Sequence, residues 1–177
     1  MKQLEGNGRI LEKVVITDDY AKEFLRQYEE ADFICHKEIL TKLLNEGIID
    51  KIVYAPYDED SIQKINERWF GTKATITHAA NGQNIYPTLF GFDSCRGEYI
   101  LQMDSDLIIG RLDKKHDVIE DMIEALDSHQ NALFVSFNIL NRGSKEYTAY
   151  GPDGDWRVEV RCSMLKKTRE NFEKLPP

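Results

Sequence analysis

Short apolar, β-branched runs alternate along most of this chain with longer stretches that are apolar on one side only, and that alternation leaves few folds open. Glu12 to Thr17 (EKVVIT), Asp50 to Ala55 (DKIVYA), Lys73 to Thr77 (KATIT), Glu98 to Met103 (EYILQM) and Ala132 to Ile139 (ALFVSFNI) each read as a strand. Between them the period changes. Asp19 to about Gly47 reads as helix, broken near Ala31-Asp32, with Ile39, Leu40, Leu43 and Leu44 on one face and Gly47 as its C-terminal cap. Ser61 to Phe70 is a second helix, closing at Gly71. A turn at Ala80-Asn81-Gly82-Gln83-Asn84 opens a third, with Pro87 in its first turn, where a missing N–H costs little. Val118, Ile119, Met122, Ile123 and Leu126 mark another. Strands linked through helices require crossovers, so the expectation is an α/β fold: a mostly parallel sheet flanked by helices, in a single domain over residues 1–177. Beyond Asn141 the pattern weakens to a Gly151-Pro152-Asp153-Gly154-Asp155 turn, an alternating Arg157 to Met164 and a short helix.

Charge and composition exclude several classes of function. The formal net charge is −8, which repels phosphate backbones, so no nucleic-acid partner is expected. A nucleotide held through a divalent cation stays open, because the metal reverses the local sign. Eight Phe, eight Tyr and two Trp give a core to bury and argue against disorder. No apolar run approaches the roughly 20 residues needed to span a bilayer, and MKQLEGNGRILEK is too polar for a secretion signal. Cys35, Cys95 and Cys162 are far apart and form no CxxC pair. Three reduced thiols in a cytoplasmic protein with no transmembrane segment is the simplest reading, any membrane attachment being left to regions or partners outside the chain.

In parallel sheets ligands bind beyond the carboxyl ends of the strands. Three such places are rich in carboxylates: Asp18-Asp19, Tyr57 to Ser61, and Asp104-Ser105-Asp106. The last is the sharpest. An apolar strand delivers two carboxylates, one residue apart, to an edge, and hard oxygen ligands suit Mg²⁺ or Mn²⁺ while leaving positions for phosphates. By itself the tripeptide reads equally as a solvated turn or a helix N-cap.

The residues before it add context. The ungapped block from Asn81-Gly82 through Gly91 to Gly97-Glu98-Tyr99-Ile100 and on to Asp104-Ser105-Asp106 resembles the corresponding block of family 2 glycosyltransferases with the GT-A fold. Asp58-Glu59-Asp60-Ser61, after the second strand, is similar to that family's acidic Asp-Asp-Gly-Ser turn. The resemblance covers roughly residues 10–140. It implies a GT-A-like, Rossmann-like domain that binds a nucleotide-diphosphate sugar through a divalent cation, Mn²⁺ or Mg²⁺. It further implies that Thr17 or Asp18 lies near the base, and that Asp58 or Asp60 contacts base or ribose. The Asn81-Gly82 turn would lie close to the nucleotide. Asp104 and Asp106 would form the metal pair, with Asp104 toward the ribose and Asp106 as the direct ligand.

Two departures accompany the resemblance. The family's Arg-Asn dipeptide falls on Thr88-Leu89, so a phosphate-facing arginine is missing there, and Lys73, Arg96 or Arg111 is left to replace it. Inverting transfer also needs a carboxylate to deprotonate the acceptor hydroxyl. In the family it follows a segment resembling Cys162 to Phe172, about where this chain stops at Pro177, which leaves Asp153 and Asp155 as weak candidates. The expectation is therefore a donor-binding core over 10–140, with 141–177 as an incomplete acceptor-side segment of an enzyme truncated before its base. The acceptor, whether glycan, lipid or another hydroxyl, is not written in the chain. A nucleotidyltransferase with a related sheet, and a nucleotide-sugar-binding module without turnover, are the alternatives. Trp69, Trp156 and His78 could face a ligand, but core or rim packing is the plainer reading of the tryptophans. His36, His116 and His129 read as solvated.

Overall fold

The computed structural model describes residues 10–18, 33–80, 82–105, 107, 115–129, 132–136 and 161–167. Among these are five strands and four helices, an α/β composition as the alternation predicts. They fall into two compact units, one within residues 10–97 and one within 98–167. No helix among the described residues is long and apolar enough to cross a membrane.

The first unit is built on strands β1 (Val14–Thr17) and β2 (Lys51–Tyr54), which pair in parallel from Val14↔Lys51 to Thr17↔Tyr54. Three β-branched residues in a row favour the extended chain in β1. The pairing continues one step further, since the Ala55 amide donates to the Thr17 carbonyl at 2.9 Å. Both strands therefore end at the same edge. Helix α1 (Phe33–Asn45) joins them and stops where predicted: Gly47 takes a positive φ of 67°, and the Ile48 amide reaches back to the Leu43 carbonyl at 3.0 Å. Of the expected apolar face only Leu40 is buried, while Ile39 and Leu44 are exposed.

Helix α2 (Glu59–Phe70) starts two residues earlier than the sequence suggests, because Asp58 caps it, and it closes at Gly71. Its buried face carries Ile62, Ile65, Asn66 and Trp69, with the Trp69 ring tilted against Phe92 at 5.9 Å. Helix α3 (Tyr86–Ser94) has Pro87 in its first turn and lies against β1. At Gly91 the approach is closest: a Cβ there would sit 2.6 Å from Ile16 Cγ1.

Residues 73–77 do not form the expected strand. Their backbone groups are engaged elsewhere. The Ile76 carbonyl accepts from Asn66 Nδ2 at 3.0 Å, and the Thr77 carbonyl accepts from the Ile85 and Tyr86 amides at 3.0 and 3.2 Å. The segment is an extended arm leading into the Ala79–Gln83 turn, where Gly82 has φ 79°.

In the second unit β3 (Tyr99–Met103), helix α4 (Val118–Ser128), β4 (Phe134–Ser136) and β5 (Cys162–Lys166) form a sheet of order β3-β5-β4. Strand β5 runs antiparallel to both neighbours. Strands β3 and β4 thus point the same way and are linked through α4, as the strand–helix rhythm implies, but an antiparallel strand lies between them. Among the described strands the parallel expectation holds as direct pairing only for β1 and β2. Residues 137–139 of the predicted fifth strand lie outside the described residues. Helix α4 is capped by Asp117, whose Oδ1 accepts from the Ile119 amide at 3.0 Å. Its buried Ile119, Met122 and Leu126 pack with Met164 on β5, and Leu101, Met103 and Val135 close the cluster.

Candidate functional site

The shared edge of β1 and β2 carries a connected set of polar and aromatic groups. Thr17 Oγ1 lies 2.9 Å from His36 Nε2, so His36, expected to be merely solvated, ties α1 to the end of β1. Asp18 Oδ2 accepts from the Tyr57 hydroxyl at 2.9 Å. The same hydroxyl accepts from Asn84 Nδ2 at 3.0 Å. Tyr57 meets Tyr86 edge to face at 5.2 Å, and the Tyr86 hydroxyl donates to the Pro56 carbonyl at 2.5 Å. The parallel register explains the convergence: side chains just past Thr17 and just past Tyr54 must meet.

Burial pushes the Tyr57 phenol well above its ordinary range, with the Asp18 hydrogen bond adding to it and Asn84 opposing it. Burial also raises Tyr86, to about 12, assisted by the negative charge of Asp58. Both phenols stay protonated and neutral at ordinary pH. Tyr86 is fully buried, so the end of the β1–β2 pair offers the half-buried Tyr57 ring and hydroxyl, the Asn84 amide and the Asp18 carboxylate, with the Tyr86 ring packed behind them.

Asp58 and Asp60 have plainer work. Asp58 Oδ1 accepts from the Ser61 amide at 2.9 Å as the N-cap of α2, and the Ser61 side chain first, then that amide, hold its carboxyl below the usual range. Asp60 sits exposed in the first turn of the same helix, where a negative charge suits the helix dipole. Gly82 supplies the positive φ of the Ala79–Gln83 turn; Asn81 lies outside the described residues. The structure thus brings Thr17, Asp18 and the residue before Asp58 together, and gives Asp58 a capping role.

Asp104 follows β3 in the other compact unit and is described there on its own. Its amide donates to the Arg161 carbonyl at 2.9 Å, continuing the β3–β5 ladder. Its Oδ2 accepts from Arg161 Nε at 3.0 Å. The sequence reading misses Arg161. It stands 57 residues from Asp104, and only the register Met103↔Cys162 makes the two neighbours. Asp106, Arg111, Asp153, Asp155 and Trp156 lie outside the described residues.

Of the cations expected to replace the missing arginine, the two among the described residues are engaged elsewhere. Arg96 Nε donates to Glu12 Oε2 at 2.9 Å, and the Arg96 backbone amide, donating to Glu12 Oε1, does most to hold that carboxyl below its usual range. Lys73 lies 3.9 Å from Glu67. Trp69 is 3% exposed and belongs to the core. His78 Nδ1 lies 2.9 Å from Thr77 Oγ1, and the residue bridges to Asn84 beside the Tyr57 network.

Among the described residues no cluster of three or more His, Cys, Asp or Glu side chains could enclose a metal. The donor chemistry of Asp104-x-Asp106 nonetheless fits a hard divalent ion that shares its ligands with a phosphate. One oxygen of Asp104 is shared with Arg161, and Asp106 lies outside the described residues. Comparison with protein-family models, with curated proteins and with solved structures gives no match.

Proposed function

We propose that this chain is the donor-binding part of a glycosyltransferase similar to family 2, with a GT-A-like fold, taking a nucleotide-diphosphate sugar. The observation that supports this most is the parallel β1–β2 pair, whose two carboxyl ends bring Asp18, Tyr57 and Asn84 to one edge, backed by the buried Tyr86 ring. Such an edge is where open α/β sheets take their ligands. The half-buried Tyr57 ring together with a carboxylate and an amide suits a flat base and a ribose. Asp104 and Asp106 are the residues that would hold Mn²⁺ or Mg²⁺. When bound, that ion neutralises the diphosphate and eases its departure.

Inverting transfer in such a site is a single displacement at the anomeric carbon. The acceptor oxygen bonds to that carbon, the carbon–diphosphate bond breaks, and a carboxylate removes the hydroxyl proton. Asp153 and Asp155 remain the weak candidates for that base, and the acceptor is a glycan, a lipid or another hydroxyl compound. Thr88-Leu89 in place of Arg-Asn favours a second reading, a nucleotide-sugar-binding module without turnover.

Calorimetry with UDP and with GDP, each in Mn²⁺ or in EDTA, tests the binding. Metal-dependent binding that Asp106→Ala abolishes is expected; affinity indifferent to EDTA and to that variant defeats the metal role. Release of free nucleoside diphosphate from a panel of nucleotide sugars separates the enzyme from the silent module.

A further inference from the structure

Consecutive side chains leave a strand on opposite faces, so the shared end of β1 and β2 has two sides. Ile16 meets Gly91 of α3, and Asp18, two residues on, joins Tyr57 and Asn84 on that side. Thr17 and its register partner Tyr54 turn the other way, toward α1. There Thr17 Oγ1 lies 2.9 Å from His36 Nε2, which fixes α1 beside the strand end, and Lys37 Nζ stands 5.8 Å from the centroid of the Tyr54 ring. The two sides differ in what they leave open. Tyr57 is half-buried with its hydroxyl bonded to both Asp18 and Asn84, and Tyr86 is fully buried. Tyr54 is 41% exposed at the carboxyl end of a parallel pair. A large ring left in water forgoes the stabilisation its burial would bring. At a strand end of this kind, where ligands bind, a ligand can supply the missing cover. The ammonium of Lys37, attracted to the ring's electron-rich face, steadies the ring against α1.

We infer that Tyr54 is a ligand-contacting residue, its ring being the surface on which the planar base of a nucleoside stacks; this rests on the donor-binding reading above. Tyr57 then borders the ligand from the α3 side and holds Asp18 in place, while Tyr54 covers the base from the α1 side. Stacking on an aromatic ring favours any flat base over a bare sugar or phosphate.

The full chain and its Tyr54→Phe, Tyr54→Leu and Tyr54→Ala variants are titrated by calorimetry with uridine, guanosine and ribose, and with UDP in Mn²⁺. Tyr54→Leu fills the volume without an aromatic face, and urea unfolding of each variant reports its stability. Tyr54→Leu and Tyr54→Ala are expected to weaken the nucleosides about tenfold, while Tyr54→Phe stays close to the parent and ribose binds poorly to all four. Nucleoside affinity that is absent in the parent, or indifferent to Tyr54→Leu, overturns the assignment. So does an equal loss in Tyr54→Phe and Tyr54→Ala, which would mark the hydroxyl rather than the ring. A loss that follows the urea midpoint across the variants instead of the presence of a ring also overturns it, as the mark of a merely structural residue. If the nucleosides depend on Tyr54 but UDP in Mn²⁺ binds no better than uridine, the stacking surface stands and the donor-binding reading fails. If UDP binds well in Mn²⁺ and is indifferent to Tyr54→Leu, the reverse holds.

Discussion

The two strand ends are held together by different physics. Past β1 and β2 the contacts are hydrogen bonds among phenols, an amide and one carboxylate, part-buried and backed by the rings of Tyr86 and Phe90. Past β3 the contact is an ion pair whose two side chains are 40% and 43% exposed. The first arrangement is held by short-range hydrogen bonds and ring packing. The second is charged and exposed, and responds to salt.

The difference is broken most severely by disturbing what holds the first end in register. Helix α3 lies so close on β1 that a Cβ at residue 91 would stand 2.6 Å from Ile16 Cγ1, 3.2 Å from Cδ1 and 3.4 Å from Cβ. The first of these atoms lies near the backbone of a β-branched side chain and has little room to turn away. Gly91→Ala should destabilise the chain by about 2 kcal/mol, the usual cost of overpacking. It should also loosen the Tyr57 network, because β1 must shift. Urea unfolding followed by tryptophan fluorescence measures this, as Trp69 sits in the same unit. A loss under half that size would show that Ile16 repacks freely.

A smaller effect comes from removing the hydroxyl at the centre of the network. Tyr57→Phe takes a donor from Asp18 and an acceptor from Asn84 at once. A cost of about 1–2 kcal/mol is expected, as for part-buried groups that lose one hydrogen bond. The pH dependence follows from the raised phenols. A phenol whose folded pKa lies above its unfolded value, ordinarily 10.0, gives stability that is complete below pH 10 and is lost as pH rises through the folded value, about 12 for Tyr86. The chain should therefore weaken on the alkaline side. Tyr57→Phe and Tyr86→Phe should each remove one late-ionising group from the tyrosinate absorbance titration. Ionisation of both with the bulk of the tyrosines would mean that the network is open to water.

Much of the first unit is legible in the sequence, because its signals are local. A β-branched run makes β1, and glycines end α1 and α2 with positive φ, whereas the Asp58 cap that starts α2 two residues early is hidden behind the acidic turn's likeness to a ligand site. The failure at Lys73 to Thr77 is equally physical. The stretch has strand composition, but a strand needs a partner ladder, and here Asn66 and the amides of Ile85 and Tyr86 claim its carbonyls. Nothing within five residues announces that. The β3-β5-β4 order is hidden for the same reason: residues far apart in the chain supply the partners, and the alternation of β5 does not state its direction. Arg161 is the sharpest case. The pair of carboxylates could be read from the tripeptide, but the guanidinium that changes the local charge arrives by strand register alone.

The smallest expected effect concerns that ion pair and completes the contrast. Asp104→Asn removes the charge opposite Arg161 while leaving the backbone bond between the two residues in place. For side chains exposed to this degree, solvent screens most of the attraction, and ordering two side chains offsets more of it, so the change in stability should stay within about 0–1 kcal/mol. Added salt should shrink it further, since screening acts over about 8 Å at physiological ionic strength and about 3 Å at 1 M. The measurement calls for urea rather than guanidinium, which is itself a salt, at low and at 1 M NaCl. The Tyr57→Phe cost should not move between those two conditions, because no ion pair is lost there. A salt-independent loss above about 2 kcal/mol for Asp104→Asn would exceed what an exposed pair supplies. It would make the end of β3 a second buried-type network rather than an exposed ion pair screened by solvent.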